Sequence, residues 1–200
     1  MKKINFSKHG CSETFILKES EIPKIIKKGQ VLVRVFYSSL DEYDIKDRKG
    51  INRIYSRIFN PGFAPGIDLY GMIMRIAPDV REFYYGDMVM GYMNIREGGA
   101  FSQFVTINSE NIIHCPEISD DASLGGLPYS GTTAWKTLVI QGNLQPNQSV
   151  LISNADGGIG HIAIQIAKAC GANVNALCSS KNYRFCRAKG ADMAFDITKF

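Results

Sequence analysis

The hydrophobic pattern is most regular over residues 150–178. It opens with three branched apolar residues, 150–152, as expected of a strand that is buried on both faces. After a glycine-rich loop, apolar residues recur at helical spacing until Gly171, a residue that commonly ends a helix. A second apolar run follows at residues 174–178. The pattern therefore predicts a strand, a glycine loop, a helix and a second strand.

The loop carries the pattern AxGxxG, with alanine at the first glycine position of the usual fingerprint. Gly157 removes a side chain where a pyrophosphate must approach the backbone, and Gly160 lets the helix and the strand pack closely. The start of the helix adds N–H groups that favour an anion. We therefore predict that Ala155, Gly157, Gly158, Ile159 and Gly160 bind a dinucleotide. The alternative is that the glycines only make a tight turn into a helix.

The end of the second strand indicates which dinucleotide binds. A site that prefers NAD needs a carboxylate there, about 20 residues after the glycines, for the ribose 2′-hydroxyl. This sequence instead has Cys178, Ser179, Ser180 and Lys181. Two hydroxyls and an ammonium suit a 2′-phosphate, so NADPH is the predicted cofactor. Ser179 or Ser180 could instead cap the next helix, and both interpretations can hold together.

The first part of the chain has the pattern of a β-rich domain. Strands are predicted at residues 31–36, 72–76, 88–92 and 101–107. One helix is predicted to begin after Asp41, which can cap it, and to end at Gly50. The predicted domains are residues 1–122 and 123–200.

The second predicted domain contains only part of a doubly wound sheet. A third apolar run, residues 193–197, completes a βαβαβ unit, and the sequence stops at Phe200. The strand order of such a sheet would leave the first strand at an open edge. We expect a homo-oligomer or another partner to cover that edge.

The net charge of +4 is concentrated in the second predicted domain. Residues 1–122 contain 16 basic and 16 acidic side chains, whereas residues 123–200 contain seven basic and three acidic ones. This asymmetry fits an anionic cofactor. The basic residues of the last helix could equally be a solvated face or a weak nucleic-acid patch, and nucleic-acid binding is the least favoured of these interpretations.

Cysteine usage and hydropathy indicate the compartment. The five cysteines are widely spaced and form no CxxC pair, as in chains whose thiols stay reduced. No run of about 18 apolar residues and no apolar signal core is present. We therefore expect a cytoplasmic protein without a membrane segment.

Six segments stand in an order that is specific to one family. They are VLVRVFYSSLDEYDIKDRKG, PGIDLYGMI, FYYGDMVMG, GGAFSQFV, LPYSGTTAW and ADGGIGHIAIQIAK. Together they resemble the zinc-independent quinone oxidoreductases, the zeta-crystallin-like branch of the medium-chain dehydrogenase/reductase superfamily. The resemblance covers the whole chain. It implies an α/β fold, in which a GroES-like β-rich domain precedes a partial Rossmann domain, and NADPH-dependent reduction of a quinone or an enone.

The resemblance also bears on metal binding. Zinc-dependent relatives have cysteine, histidine and cysteine at the positions where this sequence has Asp41, Ile67 and Tyr129. Isoleucine cannot bind a metal, and the three histidines lack ligand spacing. We predict no metal.

The catalytic residues are not certain from the sequence. Tyr43, Asp44 and Thr133 are candidates by position, although Asp44 could serve the start of the helix and Thr133 the packing of the next one. Hydride transfer from a nicotinamide needs little acid chemistry, so the lack of a catalytic dyad does not exclude an enzyme.

Two acidic residues depart from the family pattern. Asp41 stands where relatives have an amide near the nicotinamide or the substrate, and Asp156 lies inside the glycine loop. A carboxylate about 6 Å from a phosphate costs roughly 0.7 to 3 kcal/mol per charge pair, so Asp156 should weaken cofactor binding unless it points away. The alternative function is therefore a truncated, non-catalytic remnant or fragment that keeps at most the adenosine half of the site.

Overall fold

A computed structural model of the chain describes residues 1–6, 8–24, 27–51, 64–94, 98–115 and 121–199. The chain divides into two compact units, Met1–Tyr129 and Ser130–Phe200. The first unit is rich in antiparallel strands, and the second is built on parallel strands. This is the predicted α/β architecture of a GroES-like sheet followed by a partial Rossmann unit.

The first unit contains a strand pair and a five-stranded antiparallel sheet. Its strands are β1 (Lys2–Phe6), β2 (Phe15–Glu19), β3 (Gln30–Tyr37), β4 (Asp68–Ile76), β5 (Met88–Tyr92), β6 (Phe104–Asn108) and β7 (Ile112–His114). The sheet has the order β6-β3-β4-β5-β7, and β1 pairs with β2. The four strands predicted in this part of the sequence are confirmed, with shifted ends.

The shifts have a hydrogen-bonding cause. The last predicted strand begins at Phe104 and not at residue 101, because the segment before it bonds to β1. There, Ile4 N donates to Phe101 O at 2.8 Å and Gln103 N donates to Lys2 O at 3.1 Å. Strand β3 lies between β6 and β4, and its residues Val31 and Val33 are fully buried.

The α-helices of the described residues are α1 (Glu42–Arg48), α2 (Asp121–Leu124), α3 (Pro128–Trp135), α4 (Gly158–Ala169) and α5 (Tyr183–Ala188), and a π-helical segment, Lys136–Gln141, follows α3. Helix α1 begins and ends as predicted. Asp41 Oδ1 accepts hydrogen bonds from Tyr43 N at 2.6 Å and from Asp44 N at 3.0 Å. After the helix, Gly50 has a φ of 78°, a left-handed conformation that glycine adopts at no steric cost.

The second unit is a three-stranded parallel sheet with two connecting helices. Its strands are β8 (Ser149–Ser153), β9 (Asn173–Cys178) and β10 (Met193–Asp196). Their order is β10-β9-β8, with α4 between β8 and β9 and α5 between β9 and β10. Among the described strands β8 pairs only with β9, so the first strand lies at an edge as predicted. Leu151 on that strand is 62% exposed.

The structure divides into its two compact units between Tyr129 and Ser130, and the domain boundary at residue 122 stays a prediction. Helix α2 packs against β3 and β4, and Tyr129 N donates to Asp68 Oδ1 at 2.7 Å. These contacts attach residues 121–129 to the first unit. Among the described α-helices, α4 is the longest, with 12 residues. None of the described helices has the length and apolar character needed to cross a membrane.

Candidate functional site

The glycine loop joins β8 to α4 through a very close approach of backbone atoms. A Cβ added at Gly160 would lie 2.3 Å from Asn154 O and 2.7 Å from Ala155 Cα. Ala155 is fully buried, and its N–H donates to Leu177 O at 3.0 Å, which ties the loop to β9. The loop closes where Gly157 N donates to Asn154 O at 2.9 Å. Gly160 therefore cannot be replaced by any larger residue without moving the backbone.

The first turn of α4 presents N–H groups in front of the loop. Among the described residues, the N–H groups of Gly158, Ile159 and Gly160 have no protein acceptor, as is usual for the start of a helix. The next N–H, that of His161, already donates to Gly157 O at 3.1 Å. A Cβ added at Gly158 would meet only Ser130 Oγ, at 3.7 Å. These three donors have no protein acceptor among the described residues, and such a set at the start of a helix could hold the diphosphate of a dinucleotide.

The residues after β9 present polar groups at the same end of the sheet. Ser179 precedes a short 3₁₀ turn, Ser180–Asn182, but its hydroxyl makes no capping hydrogen bond there. Helix α5 has Asn182 at its cap position, again without a side-chain capping bond. The structure therefore does not show the capping role that was the alternative for these serines. Ser180 and Lys181 are exposed to solvent, and Ser179 is half-buried.

Asp156 does not point away from this polar end. Its Oδ2 accepts hydrogen bonds from Asn182 Nδ2 at 2.7 Å and from Ser179 N at 3.3 Å. The bond from Asn182 is the main cause that lowers the pKa of Asp156, and the nearby charge of Lys181 acts in the same direction. The glycine loop thus carries a negative charge that is fixed against the end of β9.

The three catalytic candidates lie in two helices. Tyr43 and Asp44 are in α1 of the first unit, and Thr133 is in α3 of the second. Asp44 is fully buried, and its two oxygens accept hydrogen bonds from Gly66 N at 2.8 Å and from Asp41 N at 3.1 Å. Burial raises the pKa of Asp44 to about 6 in spite of these bonds. The carboxylate joins the start of α1 to the PGID turn.

A second buried acid, Asp68, was not singled out from the sequence. It is 2% exposed, and its oxygens accept hydrogen bonds from Tyr129 N at 2.7 Å and from Ser39 Oγ at 3.2 Å. Burial raises the pKa of Asp68 to about 6. Burial and the charges of Asp41 and Asp68 also raise the pKa of the Tyr129 phenol. The sequence signal that could have indicated a buried acid is the position of Asp68 inside PGID, where an apolar strand begins.

The positions that match zinc ligands in other relatives are used differently here. Asp41 caps α1, Ile67 is fully buried, and Tyr129 bonds to Asp68 through its backbone. Within the described ranges, no group of three histidine, cysteine or acidic side chains converges to hold a metal ion. The absence of zinc from the protein stays a prediction.

Comparison with known proteins agrees with this organisation. Residues 27–117 match the alcohol dehydrogenase GroES-like domain family. The chain is 33% identical over 186 residues to the chloroplastic quinone-oxidoreductase QR1 of Triphysaria versicolor. This alignment covers 90% of this chain and 56% of that protein. It is 32% identical over 196 residues to the mitochondrial NAD(P)H oxidoreductase RTN4IP1 of Danio rerio. That alignment covers 90% of this chain and 51% of the relative.

A solved structure gives the same result for the fold. The quinone oxidoreductase from Coxiella burnetii superposes with a TM-score of 0.90 at 29% identity, over 100% of this chain and 63% of that one. As the two sequence alignments show, the chain spans about half the length of the curated relatives that it matches.

We predict that Asp44→Asn destabilises the first unit. Both carboxylate oxygens accept hydrogen bonds from backbone N–H groups. Asparagine would replace one of these oxygens with an NH₂ group, which would face a backbone N–H and leave that buried donor unpaired. The expected loss in the free energy of unfolding is about 1 to 3 kcal/mol, measured by urea denaturation at pH 7. Asp68→Asn is the matched control, because Ser39 Oγ can accept as well as donate. Equal losses in the two variants would contradict this assignment.

Asp68→Asn is predicted to change how stability depends on pH. Because the folded pKa of Asp68, about 6, lies above the ordinary 3.8, ionisation opposes folding, and the stability falls as the pH rises from about 4 to above 6. The shift corresponds to at most about 3 kcal/mol. In urea titrations, we expect the difference in the free energy of unfolding between the variant and the wild type to favour the variant more at pH 7.5 than at pH 4.5. Asp44 should still give both proteins a residual dependence on pH. An equal difference in the free energy of unfolding between the variant and the wild type at both pH values would refute the prediction.

The two loop glycines Gly158 and Gly160 are predicted to respond differently to a methyl group. Gly160→Ala should lower the melting temperature, because its Cβ would clash with backbone atoms. Gly158→Ala should fold like the wild type, yet weaken dinucleotide binding about fivefold or more by crowding the phosphate. Melting curves and fluorescence titration with NADPH measure both effects. Unchanged binding by a folded Gly158→Ala variant would show that the phosphate does not approach there.

Proposed function

Because residues 27–117 belong to the alcohol dehydrogenase GroES-like family and the chain resembles quinone oxidoreductases of the medium-chain dehydrogenase/reductase superfamily, we propose that it is a nicotinamide-dependent oxidoreductase. The observation that carries this proposal is the glycine loop. At the start of α4, the N–H groups of Gly158, Ile159 and Gly160 have no protein acceptor among the described residues, and a Cβ added at Gly158 would meet only Ser130 Oγ, at 3.7 Å. This arrangement suits a diphosphate, and a dinucleotide is the ligand that such a strand–loop–helix unit takes.

NADPH is the dinucleotide that we propose. Ser179 and Ser180 do not cap the helix that follows, and Lys181 is exposed beside them. Hydroxyls and an ammonium at the end of the second strand can hold a 2′-phosphate through charge-assisted hydrogen bonds. Residues 123–200 also contain more basic than acidic side chains, and this excess attracts an anionic cofactor over longer distances.

The proposed substrate is a quinone or an α,β-unsaturated carbonyl compound, in keeping with the names of the relatives. The bound nicotinamide would supply a hydride, and a proton from solvent or from a side chain would complete the reduction. Asp44 is a poor proton donor, because both of its oxygens accept backbone hydrogen bonds in the fold. Tyr43 and Thr133 remain candidates by position for the proton transfer.

A second candidate function is a nucleotide-binding protein without turnover. The chain spans only about half the length of the relatives that it matches, and β8, next to the glycine loop, lies at the edge of the described sheet. In a complete doubly wound sheet, a further strand pairs with this edge and helps to form the crevice for the second half of the dinucleotide. We propose that a second copy or another partner covers this edge, where Leu151 is exposed.

The proposal predicts saturable binding of NADPH and turnover of a simple quinone. Purified protein should enhance and saturate NADPH fluorescence, and it should oxidise NADPH with 1,4-benzoquinone faster than a mixture without protein. The Gly158→Ala variant should weaken both signals. Binding without turnover would instead support the non-catalytic alternative. No saturable binding at millimolar NADPH would refute the proposed function.

A further inference from the structure

We propose that Asp156 is a specificity residue that lowers the preference for NADPH over NADH. The inference rests on the proposed function, because it assumes that a dinucleotide binds at the glycine loop. It concerns how the site distinguishes a ribose 2′-phosphate from a ribose 2′-hydroxyl. Asp156 would oppose the phosphate and would accept a hydrogen bond from the hydroxyl.

The position of the carboxylate is the first step of the argument. NAD-preferring sites have an acid at the end of their second strand, where it binds the ribose 2′-hydroxyl. Here β9 ends at Cys178, and the residues after it are Ser179, Ser180 and Lys181. Asp156 Oδ2 lies 3.3 Å from Ser179 N, the first N–H after the strand. A carboxylate is thus present at the end of β9, although it comes from the loop after β8.

The second step concerns the hydrogen-bond donors at this end. Asp156 accepts from Ser179 N and from Asn182 Nδ2, the latter at 2.7 Å. Both groups could otherwise donate to a 2′-phosphate. A phosphate that enters would have to displace the carboxylate from these donors or share them with it. The ribose hydroxyl of NADH needs no such displacement, because it can donate to the carboxylate where it stands.

The third step is the balance of charge. Lys181 is exposed next to this network, and its charge helps to keep Asp156 ionised. One carboxylate about 6 Å from one phosphate charge lowers affinity by about 3-fold to 100-fold, for effective dielectric constants of 80 to 20. Lys181 attracts the phosphate and Asp156 repels it, so the two largely offset each other. The site should therefore accept both NADPH and NADH.

The test compares the affinities of NADPH and NADH, which differ only in the 2′-phosphate. Two variants separate the two effects of Asp156. Asp156→Asn removes the charge but can keep the bonds at Ser179 and Asn182, whereas Asp156→Ala removes the charge and frees both donors. We expect each variant to raise the ratio of affinities in favour of NADPH by about 3-fold to 100-fold, measured by fluorescence titration. We also expect Asp156→Ala to bind NADH more weakly than the wild type does.

Asp192→Asn is the matched control. Asp192 is in the same unit but at the opposite end of the strands, where it bonds to Val174 N and pairs with Lys168. It removes one negative charge, and the ratio should stay within about twofold of the wild-type value. Melting curves establish that each variant is folded.

The outcomes separate the two proposals. If the wild type binds both dinucleotides and neither Asp156 variant changes the ratio, the role of Asp156 is refuted and the proposed function stands. If Asp192→Asn changes the ratio as much as Asp156→Asn does, the effect belongs to net charge and the local role is refuted as well. If the wild type binds neither dinucleotide, the proposed function fails, and this inference fails with it.

Discussion

The close approach of α4 to the end of β8 is the constraint on which the second unit depends. Because Gly160 has no side chain, the first turn of the helix lies directly against Asn154 and Ala155. In that turn, the N–H groups of Gly158, Ile159 and Gly160 have no protein acceptor among the described residues. The bond from Ala155 N to Leu177 O holds the loop against β9. The close packing thus follows from one missing side chain, and the anion site that we propose lies at the same turn.

The first unit uses buried carboxylates in a comparable way. Asp44 and Asp68 each accept backbone N–H groups from segments that are distant in the sequence, Gly66 for the one and Tyr129 for the other. Their raised pKa values show that the loss of hydration outweighs these bonds for the ionised form. Such acids add little to the net stability. They do specify where the PGID turn and the segment before Ser130 attach to the sheet, because a backbone N–H left unpaired there would cost more.

The sequence predicted the features that depend on neighbouring residues. The cap at Asp41 acts over two and three positions, Gly50 adopts its left-handed conformation just after α1, and the strands follow short apolar runs. The motif order predicted the two sheets and the edge position of β8. Cofactor binding by the loop residues stays a prediction, and a binding measurement tests it.

Long-range pairs were beyond the sequence pattern. Asp68 meets Tyr129 across 61 positions, and Asp156 meets Asn182 across 26. The second case decides what the loop acid does, because the same residue could have faced solvent without changing any local pattern. Its partners follow from the parallel register of β8 and β9, which brings the loop after one strand beside the residues after the other. In the role that we propose for Asp156, selectivity for the ribose depends on strand pairing as much as on the residues of the fingerprint. A carboxylate need not come from the second strand to lie at its end.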